Sequence, residues 1–291
     1  MRYAEETLSF ACEGDTLQGI LTRPETPTDI GVVVIVGGPQ YRVGSHRQFV
    51  LLSRALATAG HTVLRFDYRG MGDSAGSLHT FENVNADIAM AIGALEAAAP
   101  GIRRVVLWGL CDGASAALLY CHAMQDPRIG GLCLLNPWVR SAESLAKTQV
   151  KHYYTQRLRE KEFWIKLCSG KVAWGALSGL ARNVQVALSG KASSVATQLS
   201  FQDRMAMAWT AFNGPILLLL SGNDFTAKEF VDHVNAAPTW AGALNKINLT
   251  QHLEPEADHT FSEIRFNSIV EQWTLNLLNQ LASHNAGETC K

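Results

Sequence analysis

The stretch Leu107-Trp-Gly-Leu-Cys-Asp-Gly-Ala-Ser115 decides the fold. It continues the run 104–108, whose apolar residues are typical of a strand buried on both faces of a parallel sheet. It then leads into an alanine-rich segment with helical spacing. A glycine on each side of Cys111 suits a sharp turn from strand to helix, in which the central residue adopts a strained backbone and its side chain stands above the sheet. The stretch therefore predicts a nucleophile at Cys111, with the N-terminus of the next helix favouring its thiolate form.

The other cysteines lack this setting. Most free cysteines in proteins are small buried hydrophobic residues, and Cys121, within a helical pattern, and Cys133, within a strand pattern, are predicted to be of that kind. The six cysteines show neither the spacing of a disulfide framework nor that of a zinc site. This usage favours a reducing cytoplasm, and no metal or other cofactor is expected.

The rest of the chain alternates strand and helix patterns, which predicts an α/β fold with a doubly wound, mostly parallel sheet of about eight strands. It begins with an antiparallel hairpin, in which runs at 8–11 and 17–22 flank a turn at 13–15. Apolar runs typical of buried parallel strands then follow at 31–36, 62–66, 104–108, 131–135 and 215–220, with a weaker one at 246–253. Helical spacings occur at 48–59, 82–98, 115–125, 225–234 and about 261–281.

One segment, residues 140–213, interrupts the alternation because it holds no convincing strand and is long for a single crossover. Its aromatic and charged residues fall at helical spacings. We therefore predict a helical cap over Cys111, inserted into a core formed by residues 1–139 and 214–291. Trp164 and Trp174 are candidates for the wall of a substrate pocket beneath the cap, whereas ordinary helix packing accounts for most tryptophans there.

A thiol nucleophile needs a base, and the base needs an orienting group. The apolar run 215–220 leads to Asp224, which places a carboxylate at the C-terminal edge of the sheet, where the turn at Cys111 also lies. His259 follows the last predicted strand and precedes the last predicted helix, so it reaches the same edge. We therefore predict a triad of Cys111, His259 and Asp224, in the chain order nucleophile, acid, histidine.

Other groups fit these two roles less well. Of nine histidines, only His259 has that placement; His252 lies nearer the strand, and His233 lies on a helix face where solvent exposure explains it. Asp258 is adjacent to the histidine in sequence and is better explained as a loop carboxylate.

Several motifs resemble those of α/β-hydrolases. The sequence Phe-Asp-Tyr-Arg-Gly-Met-Gly-Asp-Ser, residues 66–74, is similar to a turn common in esterases and lysophospholipases of that superfamily. With the turn at Cys111 and the acid and histidine loops, the resemblance covers nearly the whole chain outside the cap and implies the α/β-hydrolase fold. Residues 37–49, 108–112 and 135–140 further resemble the hydrolase 1 family associated with the exosortase A system, which implies a link to bacterial exopolysaccharide export.

The predicted oxyanion site departs from the usual α/β-hydrolase pattern. No histidine accompanies the glycines that follow the run 31–36, and Pro39 lacks an N–H, so the donor there is Gly38 or Gln40. The backbone N–H of Asp112 is the second predicted donor. An Asp112 carboxylate facing the thiolate would raise the cysteine pKa, so we expect this side chain to turn away into a hydrogen bond.

Two arginines follow the predicted oxyanion loop. Arg42 and Arg47 are candidates to hold a substrate carboxylate or phosphate. The alternative is that both belong to the solvated first turn of the helix predicted at 48–59.

Composition and motifs together narrow the function. A net charge of −1 does not favour binding to nucleic acid, and acidic residues near the N-terminus do not favour a secretion signal. No apolar run is long enough to span a membrane. The expected partner is a small acyl-type molecule, and the oligomeric state stays open. The leading hypothesis is a cysteine hydrolase of an ester, thioester or lactone. Because a cysteine thioester remains a good acyl donor, an acyltransferase is the first alternative, and a non-catalytic partner protein with this fold is the second.

Overall fold

The computed structural model describes residues 2–38, 40–140 and 199–288, the last five of them as backbone alone. The chain divides into two compact units, one formed by Met1–Val139 with Leu199–Lys291 and the other by Arg140–Gln198. The strands and helices that carry the candidate site belong to the first unit. Trp164, Trp174 and most of the predicted cap fall in the second unit and lie outside the described residues.

One sheet forms the centre of the first unit. Within the described residues its strands are β1 (Tyr3–Cys12), β2 (Asp15–Pro24), β3 (Ile30–Ile35), β4 (Thr62–Phe66), β5 (Arg104–Leu110), β6 (Ile129–Leu135), β7 (Ile216–Ser221) and β8 (Leu249–Glu254). In space their order is β1-β2-β4-β3-β5-β6-β7-β8. The pairings β1–β2 and β2–β4 are antiparallel and all others are parallel, which confirms the predicted mostly parallel sheet with its N-terminal hairpin.

Helices cover both faces of the sheet. Those of the described residues are α1 (Gln48–Thr58), α2 (Asn85–Ala98), α3 (Asp112–Met124), α4 (Phe201–Ala211), α5 (Phe225–Ala236) and α6 (Ile264–Glu288). Residues of α2, α3, α4 and α5 share one apolar cluster with one face of the sheet, while α1 and α6 share a second cluster with the other face. Among these helices none is long and apolar enough to cross a bilayer.

Burial on both faces explains why the central strands read as continuous apolar runs. Every residue of β3, β4 and β7 is buried, because helices pack on either side of the sheet. The strands at the two edges differ, since most of β1 is exposed and no residue of β8 is fully buried. Because β3 to β8 run parallel to one another, their C-terminal ends lie at one edge of the sheet.

The end of the segment predicted as a cap packs with the core. Helix α4 contributes Met205 and Trp209, which are wholly buried, to the apolar cluster that also contains α3. The Trp209 indole N–H donates to Ala243 O at 3.0 Å, and Gln202 Nε2 donates to Val139 O at 3.1 Å. Residues 199–213 therefore belong to the first unit, because the apolar side chains of α4 are buried there. The cap stays a prediction for residues 141–198.

Removal of the Trp209 side chain tests whether α4 is a fixed part of the core. We expect Trp209→Ala to lower the free energy of unfolding by about 3–5 kcal/mol, because a large side chain buried against Phe230 and Trp240 is lost. Met207, half exposed on the same helix, supplies the control. Met207→Ala should change that free energy by less than about 0.5 kcal/mol in urea unfolding, and equal small effects of both substitutions would contradict the assignment.

Candidate active site

Cys111 occupies a strained backbone position between β5 and α3. Its φ of 59° and ψ of −126° lie in a region that residues other than glycine rarely adopt. Its N–H donates to Leu135 O on β6 at 2.8 Å, and α3 begins at the next residue. The turn presents a half-buried thiol at the C-terminal edge of the sheet and at the N-terminus of a helix.

Three glycines permit this turn because β3, β5 and α3 approach one another too closely for side chains. A Cβ on Gly109 would lie 2.5 Å from the Gly113 carbonyl, and a Cβ on Gly113 would lie 2.4 Å from Ile35 O. A Cβ on Gly37 would lie 2.3 Å from Asp112 Oδ1. Atoms do not come so near without a shift of backbone, so the glycines on both sides of Cys111 are required by packing as well as by the turn.

Asp224 lies at the N-terminus of α5, three residues after β7. Its side chain caps the helix, accepting from the N–H groups of Thr226 at 3.2 Å and Ala227 at 3.0 Å. Asp224 Oδ2 is also 2.9 Å from His259 Nδ1. Burial alone would raise the pKa of Asp224, but the hydrogen bond and charge of His259 and the two N–H groups outweigh burial and lower it. The carboxylate is therefore ionised and fixed in orientation.

His259 lies in the loop between β8 and α6 and joins the other two side chains. The hydrogen bond with Asp224, followed by the hydrogen bond with the Cys111 sulfur, raises its pKa to about 10, against the opposing effect of burial. Because Nδ1 faces Asp224, Nε2 is the nitrogen left for the sulfur. His259 is thus joined to Asp224 by a hydrogen bond, and the effect of the Cys111 sulfur on its pKa indicates that the thiol lies near the other side of the ring.

Asn136 fixes the histidine loop, a role that no motif in the sequence predicted. This wholly buried residue, which follows β6 with a φ of 44°, donates through Nδ2 to Ser221 Oγ at 2.8 Å and to His259 O at 3.0 Å. Its Oδ1 accepts from Ser221 N at 2.9 Å, and Ser221 Oγ donates to Asp258 O at 2.8 Å. The signal in the sequence was an asparagine directly after a buried strand, at the edge where the other site residues lie.

The Asp112 side chain lies beside the predicted oxyanion donors. Burial raises the pKa of this carboxyl more than the nearby N–H groups of Gly38, Asp112 and Gly113 lower it. Its Oδ1 is buried against Gly37 and has no hydrogen-bond partner among the described residues. The carboxyl thus lies among the backbone N–H groups that lower its pKa, and of its two oxygens Oδ1 is the one without a partner among the described residues.

The remaining predicted residues lie in the loop between β3 and α1. Gln40 is half-buried, and its Oε1 accepts from Ser45 N at 3.4 Å. Arg42 is paired with the buried Asp67 and with Asp73, so two carboxylates already balance its charge. Arg47 is exposed and precedes α1 in a left-handed conformation, with φ of 61°. Neither arginine is brought to the Cys111 turn by a contact among the described residues.

The amino-acid sequence is similar to those of known proteins. A sequence profile of the alpha/beta hydrolase family matches residues 32–264. The human protein ABHD12B is 37% identical over 95 residues, which make up 33% of this chain and 25% of that protein, so the match spans about a quarter of the relative's length.

Solved structures of low sequence identity share the fold. The esterase Pf2001 from Pyrococcus furiosus superposes with a TM-score of 0.64 at 15% identity, covering 96% of this chain and 91% of the other. XC6422 from Xanthomonas campestris, described as a serine hydrolase without a lid, gives a TM-score of 0.56 at 16% identity, covering 96% and 95%. With the profile extending over most of the chain, from β3 to the start of α6, the protein belongs to the α/β-hydrolase family.

Proposed function

We propose that this protein is a hydrolase with a cysteine nucleophile, which cleaves an ester, thioester or lactone through Cys111, His259 and Asp224. The observation that supports the proposal is the hydrogen bond between His259 Nδ1 and Asp224 Oδ2, at 2.9 Å, together with the effect of Cys111 on the pKa of the same histidine. Acyl transfer to a side chain requires a nucleophile, a base and a group that orients the base.

The reaction begins when the Cys111 sulfur, whose proton passes to His259, attacks the substrate carbonyl carbon. A carbon–sulfur bond forms, the carbonyl oxygen becomes negative, and the N–H groups of Asp112 and of Gly38 or Gln40 stabilise it. As the oxyanion collapses, the bond to the leaving group breaks, and His259 gives that group its proton. Water then attacks the thioester carbonyl carbon while His259 takes one of its protons. The carbon–sulfur bond breaks, the acid is released, and Cys111 is restored beside the protonated His259, whose ring Asp224 keeps oriented.

Acyl transfer to an alcohol or amine is the second candidate, because the thioester intermediate reacts readily with such acceptors. A cap formed by residues 141–198, with Trp164 or Trp174 in its wall, would favour it by excluding water. The resemblance to exosortase-associated hydrolases would imply a substrate from exopolysaccharide export. Of the two arginines considered for an anionic substrate group, Arg42 is paired with carboxylates and Arg47 is exposed, so Arg47 is the candidate that remains. Product analysis with and without an added alcohol separates acyl transfer from hydrolysis. If Cys111 never becomes acylated, the protein would be a non-catalytic partner with this fold.

Acylation of Cys111 is the first expected result. Intact-mass analysis after mixing with a short-chain thioester should show one acyl adduct in the wild type and none in Cys111→Ala. Cys121 is the control, because burial raises the pKa of its thiol to about 12 and keeps it in the unreactive form. Cys121→Ala should acylate like the wild type, and an adduct that persists in Cys111→Ala would remove the proposed nucleophile.

Asp224→Asn should leave the fold intact and slow turnover by up to about four orders of magnitude, because the wrong histidine tautomer is then favoured. The matched control is Asp258→Asn, one residue before the histidine. Asp258 accepts from the Ser262 N–H at 2.8 Å and the Ser262 hydroxyl at 2.5 Å and has no such bond to the imidazole among the described contacts. Steady-state rates that fall more for Asp258→Asn than for Asp224→Asn would move the acid role to Asp258.

The raised pKa of His259 links stability to pH. Because the pKa is about 10 in the folded chain and 6.5 ordinarily, the protonated ring stabilises the fold fully below about pH 6.5, and this contribution is lost as the pH rises to 10. We expect the difference in unfolding free energy between the wild type and His259→Gln to shrink over that range. With Asp224→Asn in both chains the trend should weaken, and a difference independent of pH would contradict the assignment.

A further inference from the structure

A cavity of about 740 Å³ lies against the loop that follows β4, and all of its lining residues belong to the first unit. The lining includes Gly38 and Asp112, whose N–H groups are proposed oxyanion donors, so the cavity adjoins the position of the reacting carbonyl. Sites for small molecules in proteins commonly enclose about 300–1,000 Å³, and this cavity lies within that range.

Most of the exposed wall of this cavity is apolar. Met71, Leu78 and Phe81 contribute to it, and Leu78 is 73% exposed. Apolar surface is unfavourable in water, and a carbon chain bound against these side chains would cover it. The wall therefore suits a ligand whose own surface is also apolar.

Hydrogen bonds hold the loop that presents Leu78, which includes the motif at residues 66–74. Gly70 N donates to Ala75 O at 2.9 Å, and Ala75 N donates to Thr16 O on β2 at 2.9 Å. A Cβ on Gly70 would lie 2.3 Å from Leu78 N, so only glycine lets the two ends of the loop approach so closely. The apolar wall is thus formed before a ligand binds, which lowers the entropic cost of binding.

Contacts with α4 support the other end of the wall. Phe81 meets Phe201 edge to face, with ring centroids 5.4 Å apart, and Glu82 pairs with Arg204 at 2.7 Å. Both contacts hold the short helical turn Phe81–Asn83 against the core. The wall is therefore fixed from two sides, by β2 and by α4.

The charged groups around the cavity favour an uncharged ligand. Its described lining residues include the acidic Asp112 and Glu82 but no lysine or arginine. Arg42, which was predicted to hold a substrate anion, is paired with Asp67 and Asp73. A neutral chain meets no repulsion here, whereas a chain that ends in a carboxylate or phosphate would lose hydration without gaining a fixed positive partner.

We propose that this cavity binds an unbranched, uncharged carbon chain of the substrate, with Leu78 as the principal exposed contact. The role in catalysis rests on the proposed function, because the chain would be attached to the carbonyl that Cys111 attacks, whereas binding of the chain does not. Such a chain belongs to the acyl part of an ester or thioester or to its alcohol or thiol part, and the experiment distinguishes the two.

The test uses two isomeric amides, N-methyloctanamide with its chain on the acyl side and N-heptylacetamide with its chain on the nitrogen side. Each is compared with the homologue that is shorter by two methylenes, N-methylhexanamide or N-pentylacetamide. All four are titrated by ligand-observed NMR into the full chain with Cys111→Ala, which cannot form an acyl-enzyme.

We expect the longer chain to bind roughly fourfold to fifteenfold more tightly in at least one of the two pairs. Full burial of a CH₂ group favours binding by about fourfold and half burial by about twofold, and the pairs differ by two such groups. The pair that shows the gain identifies the part of the substrate that carries the chain.

Leu78→Gln should reduce that gain to less than about twofold, because a polar amide replaces the apolar contact. Met90→Gln is the matched control, since Met90 is 43% exposed on α2 and is not one of the lining residues. It should leave the gain unchanged. Both side chains are exposed, so each variant should unfold within about 2 °C of the parent chain, which checks that the fold is intact.

Equal affinities within both pairs, absence of binding by all four amides, or a gain unaffected by Leu78→Gln would each overturn the proposal. Equally tight binding of the longer amide with a carboxylate at the end of its chain would also overturn it. These results are independent of acylation. If Cys111 acylates but neither pair shows the gain, the chain-binding site alone fails; if the gain is present but Cys111 never acylates, the proposed hydrolase fails and the chain-binding site stands.

Discussion

The site depends on the close approach of β3, β5 and α3. Gly37, Gly109 and Gly113 let the three elements meet where any Cβ would overlap with backbone or with Asp112. That contact holds Cys111 at a φ of 59°, a conformation that would otherwise relax. It also sets the Asp112 carboxyl against the end of β3, next to the proposed oxyanion donors. One packing constraint thus fixes the thiol and the neighbouring N–H groups.

The other two members of the proposed triad are held by hydrogen bonds that cross between loops. Asp224 is oriented by the N–H groups of the helix it caps, so its carboxylate does not depend on His259 for its position. Asn136 joins the end of β6 to Ser221 and to the His259 carbonyl. Because parallel strands end at the same edge, these short bonds can join loops whose bonded residues are 37, 85 and 123 positions apart in sequence. The loops are therefore linked to one another at this edge of the sheet.

Features with a local pattern could be predicted from the sequence, and those set by tertiary contacts could not. The central strands were predictable because burial on both faces demands continuous apolar runs, and the turn at Cys111 because only glycine fits on either side. Helix α4 was grouped with the cap because helical spacing does not reveal which surface a helix packs on. The pairing of Arg42 was equally hidden, since its partners lie 25 and 31 residues away.

Asp112 places two requirements of the site in opposition. Its carboxyl stands next to N–H groups that the proposed reaction uses to stabilise a negative carbonyl oxygen, and a carboxylate there disfavours the second negative charge. The N–H groups of Gly38, Asp112 and Gly113 lower the pKa of this carboxyl, but burial raises it by more. The protonated form of Asp112 is therefore less disfavoured here than in water, and in that form the side chain would not repel the oxyanion.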